Sequence, residues 1–269
     1  MSRPLILHAE PNDPLLDAMP DAEHMPVDAL LPYVHRAEWP SVVRAEFPDD
    51  VVRRFAGRRV INRGFSYNGT RLRETLGEWG CHEQWCHRLL QPLFDVAGEV
   101  AHDPGLKGVS RSRLPLNSQW FLLRRERPDI QVPTFVYAFG GTRVDLHDFK
   151  NPMQKSIWSL FDWKEETHLP VSEQHWHRFF VERPVGTPVL MHFVGDRVGF
   201  VFPRGPMSID EAAFRELAGS VSTTFRSRIG EVLSYVEDDG TIRFHAFSPY
   251  LLSVARQPSF RDDLRAAYA

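Results

Sequence analysis

Gly230 to Pro249, "GEVLSYVEDDGTIRFHAFSP", sets apolar residues on both sides of Asp238-Asp239-Gly240. Strand side chains alternate between faces, and an Asp-Gly pair suits a tight turn, so the stretch predicts a β-hairpin. Upstream, "RFFVERPVGTPVLMHFVGDRVGFVF" (178–202) predicts a strand ending at Pro184 and a second hairpin turning at Gly195-Asp196-Arg197. Between the two hairpins, Ser208 with Glu211 three residues later predicts a capping box. It opens a helix to Ala218 that buries Ile209, Ala212, Phe214 and Leu217.

Further toward the N-terminus, "LPLNSQWFLLRRERPDIQVPTFVYAF" (114–139) divides into a helix capped by Asn117 or Ser118, a stop at Pro128, and a strand. A strand is expected at Ser156 to Phe161. "PLILHAE" (4–10) and the segment around Val60-Ile61, ending near Asn62, read as buried strands. From Thr70 to about Val100, Leu72, Leu76, Trp79, Leu89, Leu93 and Phe94 recur at helical spacing, with interruptions expected at Gly80 and Pro92. Alternating elements without an internal repeat point to an α/β or α+β chain.

With 269 residues and 42% hydrophobic content the chain can bury one large core or several small lobes. Its apolar runs are far shorter than the ~18 residues of a membrane span. The start "MSRPLILHAEPNDP" has acids and prolines where a signal peptide needs an apolar centre, so the cytoplasm is expected and no membrane partner. The net charge of −3 speaks against non-specific nucleic-acid binding. Only four of the 32 basic residues are lysine, namely Lys107, Lys150, Lys155 and Lys164. Arginines gather instead at Arg53, Arg54, Arg58, Arg59 and Arg63, a group suited to a carboxylate- or phosphate-bearing partner. Cys81 and Cys86 lie on different faces of one predicted helix, which implies no disulfide and fits a reducing compartment.

In order and pattern these elements resemble the ATP-grasp superfamily, in particular its carboxylate–amine ligases of the glutathione-synthetase and peptide-modifying kind. The likeness spans nearly the whole chain. "NSQWFLLRRERPDIQVPTFVYAF" is similar to the family's helix leading into a Val-Pro strand, and "FFVERPVGTPVLMHFVGDRVGFVF" to the linker and hairpin between its two grasping subdomains. "GEVLSYVEDDGTIRFHAFSP" resembles the terminal strand pair that holds magnesium. The resemblance implies an α+β fold in three parts: a pre-grasp domain over 1–116 and grasp subdomains over 117–181 and 182–269. It also implies Mg-ATP between the subdomains, phosphate contacts from lysines such as Lys150 and Lys155, and a nucleotide contact from Glu182. The chemistry implied is an acyl-phosphate that goes on to an amide.

Set beside the family, the chain departs at the residues that matter most for that chemistry. Where the family's last strand runs approximately Leu-Glu-Val-Asn-Pro, this chain has His245, Ala246, Phe247, Ser248 and Pro249. No aspartate stands at Leu233 or Ser234 on the preceding strand. Glu231 replaces it only if the register moves by two or three residues, and Ser159 occupies the position expected for a phosphate lysine. Magnesium prefers carboxylate oxygens, and each lost electrostatic contact to a reacting group costs about 10²–10³ in rate.

The resulting expectation is an ATP-grasp-like protein with an eroded Mg-ATP site, a binding or partner component in peptide or amino-acid natural-product biosynthesis. Its partner would be a peptide or protein, with homo- or hetero-oligomers open. An active ATP-dependent carboxylate–amine ligase is the alternative. A zinc protein is third, since His82 and Cys86 share a helical face and His175 and His177 a strand face. Nothing marks either cysteine as a nucleophile, and the Gly140-Gly141 pair fits any turn. Asp148, Asp162, Glu165 and Glu166 read as solvated charges.

Overall fold

A computed structural model describes residues 3–36, 43–65, 67–80, 84–102, 114–139, 146–147, 149–157, 160, 177–251 and 253–268. The chain is α+β and forms two compact units: 1–113 with 225–229 and 251–269, and 114–224 with 230–250.

The first unit is built on a parallel sheet of β1 (Leu5–His8), β2 (Glu23–Pro26), β5 (Arg59–Arg63) and β6 (Glu99–Val100), in the order β2-β1-β5-β6. Leu5, Ile6 and Leu7 are fully buried, as expected of a parallel strand covered on both faces. Helices α1 (Pro14–Ala18), α2 (Asp49–Phe55), α3 (Arg71–Glu78) and α4 (Gln84–Asp95) supply Leu15, Phe55, Leu72, Leu76, Leu90 and Leu93 to the unit's buried interior. A two-stranded antiparallel pair, β3 (Val34–Arg36) with β4 (Val43–Ala45), belongs to the same unit. Thr70 caps α3, accepting from Arg73 N, and Gly80 follows α3 with a φ of 75°. Pro92 does not interrupt α4: the helix runs through it to Asp95. Proline there forfeits one backbone hydrogen bond, and the burial of Leu89, Leu90, Leu93 and Phe94 offsets that loss.

The C-terminal helix α7 (Pro258–Tyr268; α6 lies in the other unit) also belongs to the first unit, burying Phe260, Leu264 and Tyr268 at four-residue spacing. Arg59 Nη1 donates to Ala267 O at 2.9 Å in its last turn.

The second unit holds two antiparallel sheets. One is β7 (Phe135–Phe139), β9 (His177–Glu182) and β8 (Pro152–Gln154), in that order. The other runs β11 (Arg197–Val201), β10 (Thr187–Val194), β12 (Ile229–Val236), β13 (Ile242–Ser248). Both predicted hairpins form, with Gly195 at φ 59° and Gly240 at φ 87° in their turns. The strand expected at 156–161 is displaced: β8 ends at Gln154, Ser156 and Ile157 lie outside any strand, and 158, 159 and 161 lie outside the described residues.

Two helix starts also differ from expectation. α5 (Leu116–Glu126) begins after Pro115, ahead of Asn117 and Ser118, with Leu116 N donating to Ile157 O at 2.8 Å. α6 (Glu211–Phe225) is capped by Asp210, whose Oδ1 accepts from Ala212 N and Ala213 N, so Ser208 lies outside the cap. The short Asp210 side chain stands where the first free N–H groups point, which Ser208, two residues earlier, does not.

Candidate functional site

The site is assembled on the β12–β13 hairpin. Glu231 pairs with Ser248, Val232 with Phe247 and Leu233 with Ala246; the register then shifts, so that Ser234 pairs with Phe244. Directly opposed residues share a face, so Glu231, Leu233, Ala246 and Ser248 line the same side. His245 is the extra residue at the shift, and a bulge of this kind re-aims its side chain. The imidazole lies against the rings of Tyr235, at 5.4 Å, and Trp120, at 6.0 Å.

Helix α5 holds the free edge of β13. Gln119 imitates a neighbouring strand, its Nε2 donating to Phe247 O at 3.0 Å and its Oε1 accepting from Phe247 N at 2.8 Å. The same Nε2 reaches Leu114 O at 2.9 Å, and Trp120 Nε1 donates to His245 O at 2.7 Å. Leu116, Gln119, Trp120 and Leu123 are spaced for one buried face, which is why this helix docks where it does.

Lys155 follows β8 directly, with its N–H donating to Phe179 O at 3.0 Å. The side chain is 1% exposed and its Nζ lies 3.4 Å from His245 Nε2. Burial, and after it the Lys155 charge, hold the His245 pKa well below the usual histidine value. His245 is therefore neutral, with Nε2 accepting from the ammonium and the proton on Nδ1. Among the described residues Nδ1 has no hydrogen-bond partner, and neither has the buried Ser234 Oγ.

Glu231 is fully buried, and Ser248 is 2% exposed with its Oγ accepting from Tyr250 N at 3.1 Å. Glu182, at the end of β9, is half-buried and donates its N–H to Thr134 O at 2.9 Å. Lys150 is exposed, ahead of β8. The hairpin face thus offers one carboxylate and one hydroxyl, while the adjacent imidazole already accepts from a lysine. Magnesium in nucleotide sites takes one or two carboxylates and fills its remaining positions with water and phosphate oxygens, and among the described residues this face supplies one carboxylate, Glu231. Among the described residues no three His, Cys, Asp or Glu side chains are gathered to hold a metal ion. Cys86 is buried; Cys81, His82, His175 and Ser159 lie outside the described residues.

The five arginines do not form one surface. Arg63 is 3% exposed and bonded through Nε to Asp13 Oδ2 at 2.8 Å, so it is an interior ion pair. Asp13 also caps α1, accepting from Leu15 N. Arg59 is spent on the last turn of α7, and Arg58 bonds Glu23 and Arg3 O. Burial acts to raise the Glu23 pKa, but hydrogen bonds from Arg58 and Arg54 outweigh it and leave the carboxyl below its usual value. Arg53 and Arg54 remain exposed.

His245 and Gln119 were not singled out in the sequence. The available signal was a polar residue inside each apolar run, His245 between Phe244 and Ala246-Phe247, and Gln119 beside Trp120. Either pattern also fits a solvent-facing position.

No protein-family model and no curated protein matches the sequence. Solved structures do match along its length. The ATP-grasp ligase PsnB, complexed with a minimal precursor, Mg and ADP, superposes with a TM-score of 0.63 at 13% identity, covering 98% of each chain. The macrocyclase MdnC from Microcystis aeruginosa MRC, bound with precursor peptide MdnA, gives 0.62 at 13% identity over 97% of this chain and 98% of that one. D-alanine–D-alanine ligase from Bacillus anthracis, complexed with ATP, gives 0.56 at 11% identity over 100% and 95%. At such identities what is shared is the fold.

Proposed function

We propose, from the premise that this chain has the ATP-grasp fold, that it is a peptide-binding component of peptide or amino-acid natural-product biosynthesis, with an eroded Mg-ATP site. One observation carries this reading: on the hairpin face where the fold's ligases place metal ligands, Glu231 is the single carboxylate, opposite Ser248, while Ala246 lies opposite Leu233. The buried cation Lys155 leans on a neutral imidazole nearby. Two of the similar structures carry precursor peptides, which supports a peptide as the bound partner. In this reading residues 1–116 are the pre-grasp domain, 117–181 and 182–269 are the grasp subdomains, the last of them lending its segments 225–229 and 251–269 to the first unit, and the protein works in the cytoplasm. Arg53 is its exposed contact for an anionic partner in the first unit, beside Arg54, which is paired with Glu23.

Calorimetric titration with Mg-ATP tests the proposal, with no saturable heat expected at micromolar nucleotide. A Mg²⁺-dependent dissociation constant in the low micromolar range refutes it. That result favours a second reading, an active carboxylate–amine ligase, for which the burial of Lys155 and Glu231 in the same unit speaks. Under that reading Glu182→Ala weakens nucleotide binding and Glu231→Gln lowers turnover.

A further inference from the structure

Helix α5 has one buried face and one anomalous outer face. Leu116, Gln119, Trp120 and Leu123 point inward, whereas Phe121 on the opposite flank is 64% exposed. A lone exposed aromatic is ordinary, but Phe121 is not alone. With Leu114, Leu122 and Phe135 it lines an open groove of about 430 Å³, completed by Asn117 and Ser118. Asn117 Oδ1 is buried and, among the described residues, accepts no hydrogen bond. One helical turn beyond Phe121, and two beyond Asn117, Arg124 and Arg125 are both exposed at the C-terminal end of the same flank. Among the described residues Arg125 is held only by its neighbour Glu126, in a pair more than half exposed on both sides, which solvent makes easy to exchange.

We infer that this groove binds a peptide segment in which a large apolar side chain lies about one helical turn from an aspartate or glutamate. The apolar side chain seats between Phe121 and Phe135, and the carboxylate meets Arg124 and Arg125. Charge complementarity selects this occupant: the groove is lined mainly by apolar side chains and two exposed guanidinium groups stand one helical turn beyond Phe121, so a basic or wholly apolar segment leaves those charges unmatched. The inference rests on the peptide-binding reading and gives that reading a place on the molecule.

Fluorescence anisotropy of the full chain tests it, using labelled synthetic peptides that carry Phe or Leu one turn from Asp or Glu. Matched controls replace the acid with Lys or the apolar residue with Ser. The acidic-apolar peptide is expected to bind, and each control to bind at least about tenfold more weakly, the scale of a buried aromatic anchor. Phe121→Ser and the double change Arg124→Glu with Arg125→Glu should each bring a similar loss. Added salt should weaken binding to the wild type but have little effect on the arginine double variant. Phe121 is exposed, so Phe121→Ser leaves the fold intact, which an unchanged thermal transition verifies. Binding unaffected by Phe121→Ser overturns the groove and leaves the peptide-binding reading standing. Binding of no peptide in the set, with Mg-ATP bound tightly, overturns both. A self-association abolished by Phe121→Ser assigns the groove to a second copy of the chain and overturns the peptide occupant.

Discussion

Lowering the pH should destabilise this protein well above the range where carboxylates titrate, because the buried imidazoles of His102 and His245 are held neutral. Burial first, then the charge of Lys155 for His245 and of Arg63 for His102, keeps both pKa values far below 6.5 in the folded chain. Unfolding returns both to water, where each takes up a proton as pH falls through ~6.5. The unfolded state then binds more protons than the folded one, so unfolding free energy drops with falling pH, by about 1.4 kcal/mol per pH unit for each histidine. The stability is fully present above the unfolded pKa and is lost as pH falls toward the folded one. Between about pH 6 and about pH 5 the unfolded histidines are mostly protonated, which makes the combined loss about 2.5 kcal/mol. His102 belongs to the first unit and His245 to the second, so if the units unfold in separate transitions, each carries its own half. Urea unfolding followed by tryptophan fluorescence at constant ionic strength, across this range, measures the slope. His102→Asn and His245→Asn should each lower it by up to about 1.4 kcal/mol per pH unit, whatever they do to absolute stability. A double variant with the wild-type slope, or resonances assigned to His102 and His245 that titrate near ~6.5 in the folded chain, would falsify the argument.

The link from α5 to β13 predicts that Gln119→Met, which keeps the volume, costs about 3 kcal/mol, since it strands Phe247 N–H, Phe247 O and Leu114 O. Gln119→Glu should recover only the Phe247 N–H bond, and a loss under ~0.5 kcal/mol for Gln119→Met in urea melts would show that the amide is not the clamp. Capping of α6 gives a paired test: Asp210→Ala should lower stability by about 1 kcal/mol and Ser208→Ala by less than ~0.5 kcal/mol. The opposite ranking would restore Ser208 as the cap.

Turns, stops and alternation were legible in the sequence because each is settled within a few residues. Gly195-Asp196 and Asp239-Gly240 impose their hairpins through backbone conformations that few other residues adopt, and Pro128 ends α5 because it cannot supply a helical N–H. The terminal strand pair followed from those local rules, whereas the likeness to an ATP-grasp protein rested on the resemblance of whole stretches, in order, to that family. Helix starts were less secure, since Ser208 and Asp210 both satisfy the cap preference and only the path of the chain selects Asp210.

Tertiary structure alone decided the states of the polar groups. Arg63 reads in sequence as one of a surface group, yet it meets Asp13 from 50 positions away and is buried by the sheet it ends. Gln119 meets Phe247 across 128 positions and Lys155 meets His245 across 90. A polar residue in an apolar run has the same local pattern whether it is solvated, hydrogen-bonded or ion-paired. Which of these it becomes depends on desolvation and on partners far along the chain, and folding brings both into being together.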